Sequence, residues 1–214
     1  MRQVLRFLVW AAIAFGFVVA IARVIAIRWW RVPEGDPWLE ASIAPTLRGG
    51  DLVLLWRATK PGIGDLVICP EPGAPERIVV GRVAGRGGDM VTLRASTVQR
   101  NRQTTRTERG CLKGEFEVQD PKSGKSVTQS CQMEDMFGVI HMRGSIVAQT
   151  TSRPDKTFRV SAGHLFLVSD NRHYPYDSRD FGAVERAQCK ETVFFRLWSR
   201  TGFFDEPSRF TLVR

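Results

Sequence analysis

The stretch Phe7–Ala22, FLVWAAIAFGFVVAIA, carries no charge, and it limits what this chain can be more than any other feature. A bilayer-spanning helix needs about 20 mainly apolar residues. Extending the run from Leu5 to Ile27 reaches that length and takes in only Arg6 and Arg23, whose long side chains reach the interface from near the helix ends. Arg2, Arg6, Arg23, Arg28 and Arg31 bracket the segment, and Trp10, Trp29 and Trp30 suit interfacial depth. A cleaved signal peptide has a shorter apolar region and a small-residue site before a polar start, a pattern this segment lacks. Residues 1–31 are therefore expected to form a single transmembrane anchor, with the lipid bilayer as a partner. Basic residues on both flanks leave its orientation open.

Lysine and arginine number 31 against 22 acids, a formal charge of +9. No helix-turn-helix, zinc-finger or RNP pattern accompanies that charge, so no nucleic-acid partner is expected, and no cofactor or metal. After the anchor, Val32–Leu39 reads as a linker with Pro33, Gly35 and Pro37. Short strands then follow turn signals: Asp51–Trp56, Leu66–Cys69, Arg77–Val83, Met90–Leu93, Val139–Met142, Thr157–Val160, His164–Ser169, Val193–Trp198 and Arg209–Val213. Past the anchor, no stretch keeps a helical period over three turns. The fold class expected is mainly β: an amino-terminal transmembrane helix, then an antiparallel β domain over 32–94 and 132–214. Residues 95–131, dominated by polar side chains, read as an inserted polar subdomain or loop.

Cys111 and Cys131 flank a polar loop and would close a disulfide in an oxidising compartment. Cys69 and Cys189 lie in apolar, strand-like runs and read as buried thiols; four reduced cysteines is the other option.

The stretch with chemical interest is Glu40-Ala41-Ser42-Ile43-Ala44-Pro45-Thr46-Leu47, followed by Gly49-Gly50-Asp51. Pro45 fixes its own φ and pushes Ala44 into an extended backbone. Ser42 is accordingly expected on a stiff, non-helical segment with its hydroxyl outward. By itself Ser-x-x-Pro-Thr is common in ordinary turns. Its company along the chain changes that. Gly64-Asp65-Leu66-Val67, then Arg82-Val83-Ala84-Gly85-Arg86-Gly87-Gly88-Asp89, then Asp170-Asn171-Arg172 with Asp177-Ser178-Arg179, Phe181-Gly182 and Val184 follow in order.

These four boxes resemble those of the bacterial type I signal peptidases, membrane-bound serine endopeptidases that remove signal peptides from exported proteins. The resemblance covers nearly the whole chain, anchor included. It implies a β-rich catalytic-type domain on the outer face of the plasma membrane, signal peptides as partners, and Ser42 as nucleophile. It also implies structural roles near the site for Pro45, Arg82, Asp170, Asn171, Arg172, Asp177, Ser178 and Arg179. A related self-cleaving repressor-type peptidase fits less well, because of the anchor and the Asp177-Ser178-Arg179 box.

The family's chemistry is a Ser–Lys dyad, in which a neutral lysine takes the serine proton. The position of that lysine is held by Gly81. Arg82 is no substitute, because a guanidinium stays protonated. Two further departures accompany the loss. Glu40 stands where many members have a serine that helps hold the oxyanion, and a carboxylate there repels developing negative charge unless protonated or turned away. Pro175 replaces the serine that supports the lysine amine. Of His141, His164 and His173, the resemblance brings only His173 near the site, as an alternative base; Lys60, Lys156 and Lys190 have no favourable placement. Two functions remain: an active signal peptidase with a substituted base, or an inactive relative that binds signal peptides or regulates an active paralogue.

Overall fold

The computed structural model describes residues 2–146, 155–205 and 208–213, and the side chains of 22–25 are not among those described. Helix α1, Arg2–Ile25, carries its apolar side chains outward: Phe7, Trp10, Phe15 and Phe17 are all exposed. Its stretch Arg2–Ile21 is long and apolar enough to cross a membrane. The helix gives way directly to β1, Ile27–Arg31, which pairs with β2, Leu52–Trp56, through Trp29↔Leu54 and Trp30↔Val53. The carboxy-terminal flank of the expected anchor is thus a strand. Between these strands lies α2, Pro37–Ile43, which starts in the last three residues of the expected linker and runs into the serine stretch.

The chain continues through β3 (Leu66–Glu71), β4 (Ala74–Arg86), β5 (Met90–Arg94), β6 (Thr97–Arg100), β7 (Gln103–Thr104), β8 (Arg106–Gln119), β9 (Ser126–Met136), β10 (Val139–Ser145), β11 (Lys156–Arg159), β12 (His164–Val168), α3 (Ser178–Phe181), β13 (Val184–Glu185), β14 (Glu191–Trp198) and β15 (Thr211–Leu212). Among the described residues, the main sheet runs β1-β2-β14-β3-β4-β12-β13, with β15 on β14. All of its pairings are antiparallel. Alternate residues of β4 face opposite layers. Val80 joins Leu39, Ile43, Leu47 and Val53 on one side, and Val79 and Val83 join Val67, Leu165 and Leu167 on the other.

Two smaller sheets, β11-β5-β6-β7 and β10-β9-β8, hold most of the polar stretch 95–131. It is strand rather than loop because β8 needs few apolar residues: it buries only Phe116 and Val118. Val139 pairs with Met136 across the two-residue turn Phe137-Gly138, both at positive φ (57° and 99°), the backbone a tight hairpin demands. Cys111 and Cys131 form a disulfide across β8 and β9. Cys69 and Cys189 also form one, instead of staying as buried thiols. Each sulfur occupies a buried core position, so the apolar surroundings that suggested isolated thiols also surround the bond.

Candidate active site

Helix α2 is the local element on which the site depends. Asp36 caps it, accepting from the Trp38 and Leu39 amides at 3.0 and 3.1 Å, and Pro37 occupies the first turn, where a missing N–H is harmless. Leu39 and Ile43, four residues apart, bury against the main sheet. The helix stops at Ala44, which is extended (φ −68°, ψ 146°) because Pro45 follows. That restriction reaches Ala44 and no further. Ser42 is therefore helical, contrary to the expectation of an extended, outward-facing residue. It is 1% exposed, and its hydroxyl donates to the Leu39 carbonyl at 2.9 Å. Its own carbonyl accepts the Asn171 amide at 3.0 Å, so the first and last boxes do meet.

Gly81 lies mid-strand in β4, opposite Val67. A Cβ built on it would stand 3.2 Å from both Leu167 Cβ and the Val168 carbonyl oxygen of β12. Gly81, expected from the resemblance at the base position, thus faces a packed apolar layer. Glu40 is engaged elsewhere: its Oε1 accepts the Gly35 amide at 2.7 Å, and its carboxyl lies over Gly49. Pro175 is buried. His173 sits on the loop after Asn171, its amide bonded to Asn171 Oδ1 at 2.9 Å and its ring edge-on to Tyr174 at 4.4 Å. The Ser42 hydroxyl is directed to Leu39 and not to this imidazole.

The residues expected to support the site form two buried ionic clusters. Arg82 Nε meets Asp170 Oδ1 at 2.7 Å and its Nη2 meets Oδ2 at 3.2 Å, with both side chains fully buried. Thr46, just past Pro45, donates to the same carboxylate at 2.5 Å. Arg172 Nη2 bonds Glu134 Oε2 at 2.6 Å. Between the two carboxylates lies His141, with Nε2 3.3 Å from Glu134 and 3.6 Å from Asp170. Burial pushes Glu134 up, but Arg172, His141 and Arg143 outweigh it and hold the carboxyl at about 2. Burial, then Arg82, pushes His141 below its ordinary value. In the second cluster, Asp177 binds Arg179 in two places, at 2.8 and 2.6 Å, and accepts the Ser169 amide at 2.8 Å. Burial raises the Asp177 carboxyl, and the Arg179 bonds more than reverse that. Ser178 Oγ accepts the Leu167 amide at 2.9 Å, tying α3 to β12.

Glu134 and Arg143 were not singled out in the sequence, Thr46 was named only as part of the serine stretch, and His141, set aside there in favour of His173, lies in the buried cluster beside Asp170. His141 and Glu134 are register partners across the β9–β10 hairpin, so the Phe137-Gly138 turn was the signal that pairs them. Among the described residues, no three histidine, cysteine, aspartate or glutamate side chains converge as metal ligands. Beside the serine box opens a groove of about 1370 Å³, lined by Ala44 and Pro45 on one side, by Phe116, Val118 and the Cys111–Cys131 disulfide on another, and by Leu212 at its far end.

An antiparallel β domain follows an apolar helix long enough to cross a membrane, and its serine box is joined through Thr46 to the buried Arg82–Asp170 pair. Comparison with known families narrows this. The signal peptidase, peptidase S26, family model matches residues 4–198, and the chain belongs to that family. It is similar to signal peptidase I of Pseudomonas aeruginosa, 27% identical over 184 residues, covering 76% of this chain and 58% of the relative. Signal peptidase I of Pseudomonas fluorescens is 24% identical over 182 residues with the same two coverages, 76% and 58%. The chain thus spans 58% of the length of these curated relatives.

Proposed function

We propose that this protein engages the signal peptides of exported preproteins at the outer face of the plasma membrane, as a signal-peptidase relative that has lost Ser–Lys hydrolysis. One observation carries the reading: the Ser42 hydroxyl is buried and donated to Leu39, and the resemblance puts Gly81, which has no side chain to act as base, at the lysine position. A serine is a poor nucleophile until a neighbouring base takes its proton. Losing the base of such a unit lowers turnover by roughly four or more orders of magnitude. The retained Arg82–Asp170 and Asp177–Arg179 clusters support a maintained scaffold. The groove beside Pro45, about 1370 Å³ and lined by both apolar and charged side chains, has room for a polypeptide segment. Two disulfides support an oxidising location for the β domain.

The test is incubation of the full-length protein in detergent with a preprotein bearing an Ala-x-Ala site, beside Ser42→Ala, from about pH 6 to 10, the His-to-Lys titration range. The expected outcome is binding of the preprotein without cleavage. Cleavage that disappears in Ser42→Ala would establish the other reading, a working enzyme with a substituted base, and His173→Ala would then identify that base.

A further inference from the structure

The end of β4 opposite the serine box forms a second, smaller pocket of about 300 Å³, lined by Arg86, Gly87, Ala162, Gly163, His164 and Arg186. Its floor is backbone pressed on backbone. A Cβ at Gly87 would stand 2.9 Å from Ala162 Cα and 3.0 Å from the Ser161 carbonyl, so only glycine lets the β4–β5 turn seat against the turn Ser161–His164. The Gly87 amide donates to the His164 carbonyl at 3.1 Å, and the Arg186 amide donates to Gly163 at 2.8 Å, fixing both arginines around one turn.

No carboxylate among the described residues lies within ion-pair distance of Arg86 or Arg186, whereas Arg82, Arg100, Arg172, Arg179 and Arg196 each have one. The Arg186 Nε is buried without a partner, and its Nη2 has only a long contact of 3.4 Å to the Pro61 carbonyl. The Ala162 and Gly163 amides find no acceptor among the described residues. His164 holds its Nδ1 3.0 Å from the Ala162 carbonyl. The neighbouring acids are engaged: Glu185 accepts from Gln188 at 2.8 Å, and Asp89 binds Arg100 at 2.9 Å.

We propose that Arg86, Arg186 and the Ala162–Gly163 turn form a binding site for a phosphate-class oxyanion, supplied by a phospholipid headgroup or by free phosphate. Two guanidinium forks match phosphate oxygens in pairs. Unpaired turn amides add directed donors of the kind that line anion sites. The volume admits a phosphate with the group esterified to it.

The test uses the full-length protein in a non-ionic detergent, titrated with inorganic phosphate at constant ionic strength, with hydrogen exchange read at Ala162 and Gly163. Phosphate is expected to slow exchange at these amides. The Arg86→Gln/Arg186→Gln double variant should weaken the apparent affinity about tenfold or more, while an Arg102→Gln/Arg106→Gln variant, equal in charge loss but outside the pocket, should not. In nanodiscs without added phosphate, protection that appears with phosphatidylglycerol but not with phosphatidylcholine alone assigns the headgroup. Protection by inorganic phosphate alone assigns the free ion. No protection from either source, or equal weakening in both double variants, overturns the site. A single Arg86→Gln variant with an unchanged melting temperature separates lost binding from lost folding.

Discussion

Placing a lysine at position 81 probes both the packing and the proposed chemistry. The new Cβ would stand 3.2 Å from Leu167 Cβ and 3.2 Å from the Val168 oxygen, inside the 3.5–4.0 Å that carbon atoms prefer. Both neighbours belong to the β12 strand, so β12 itself must retreat by a few tenths of an ångström. Overpacking of this kind costs about 1–3 kcal/mol. Replacing a strand glycine returns about 0.5–1 kcal/mol of chain entropy, so Gly81→Ala is expected to lose about 2 kcal/mol or less. Gly81→Lys adds an amine on the face of β4 that carries Val79 and Val83 in an apolar cluster. Holding that amine neutral near pH 7 means moving its pKa down by about three units, roughly 4 kcal/mol. The lysine variant should therefore melt about 10–20 °C below wild type, at about 2–4 °C per kcal/mol for a chain of this size. It should also leave preprotein uncut, because the Ser42 hydroxyl stays with Leu39 and Pro175 has no side-chain acceptor with which to hold the amine. The assay is a thermal melt of the three proteins in one detergent, followed by a preprotein cleavage gel. A lysine variant that melts with wild type, or that cuts preprotein, refutes the account of a packed and closed site.

Other expectations follow from the buried ionic clusters and the disulfides. Asp170→Ala leaves Arg82 unpaired in the core and should lower stability by about 3–5 kcal/mol, read by urea denaturation; a loss below about 1 kcal/mol would contradict the pairing. The native pKa of His141 lies below its unfolded value, so its contribution is complete above about pH 6.5 and is lost as the pH falls below that, by up to about 1.4 kcal/mol per pH unit. His141→Gln should flatten that limb. Glu134, lowered from 4.5 to about 2, acts further down. Its contribution, about 3 kcal/mol, is present above pH 4.5 and lost between there and about 2. Replacing Cys111 and Cys131 by serine opens a loop of 20 residues and should cost about 3 kcal/mol, measured by melting with and without a dithiol reductant.

The alternating and continuous apolar runs made the β class legible, and the boxes located most residues that meet at the site. Ser42 with Asn171, Arg82 with Asp170, and Asp177 with Arg179 come together across 129, 88 and 2 residues of sequence respectively. Helix α2 escaped notice because it is seven residues long, too short for a periodic signal, and depends on Asp36 capping and on burial of Leu39 and Ile43. Hairpin β8–β9 escaped for the opposite reason. Most of β8 is exposed, so its polar composition resembles that of a loop while its backbone pairs fully along Glu115–Gln119. Cys69 and Cys189, 120 residues apart, could be paired only by the β3–β14 ladder that brings their neighbours side by side.

The central claim is that Ser42 has no means of becoming a nucleophile. Its most direct test is intact-mass analysis of the full-length protein after exposure to a penem-type serine acylator, with Ser42→Ala alongside. The account predicts no covalent adduct on either protein. An adduct of one acyl group on wild type, absent from Ser42→Ala, would contradict it and make this chain a working serine enzyme.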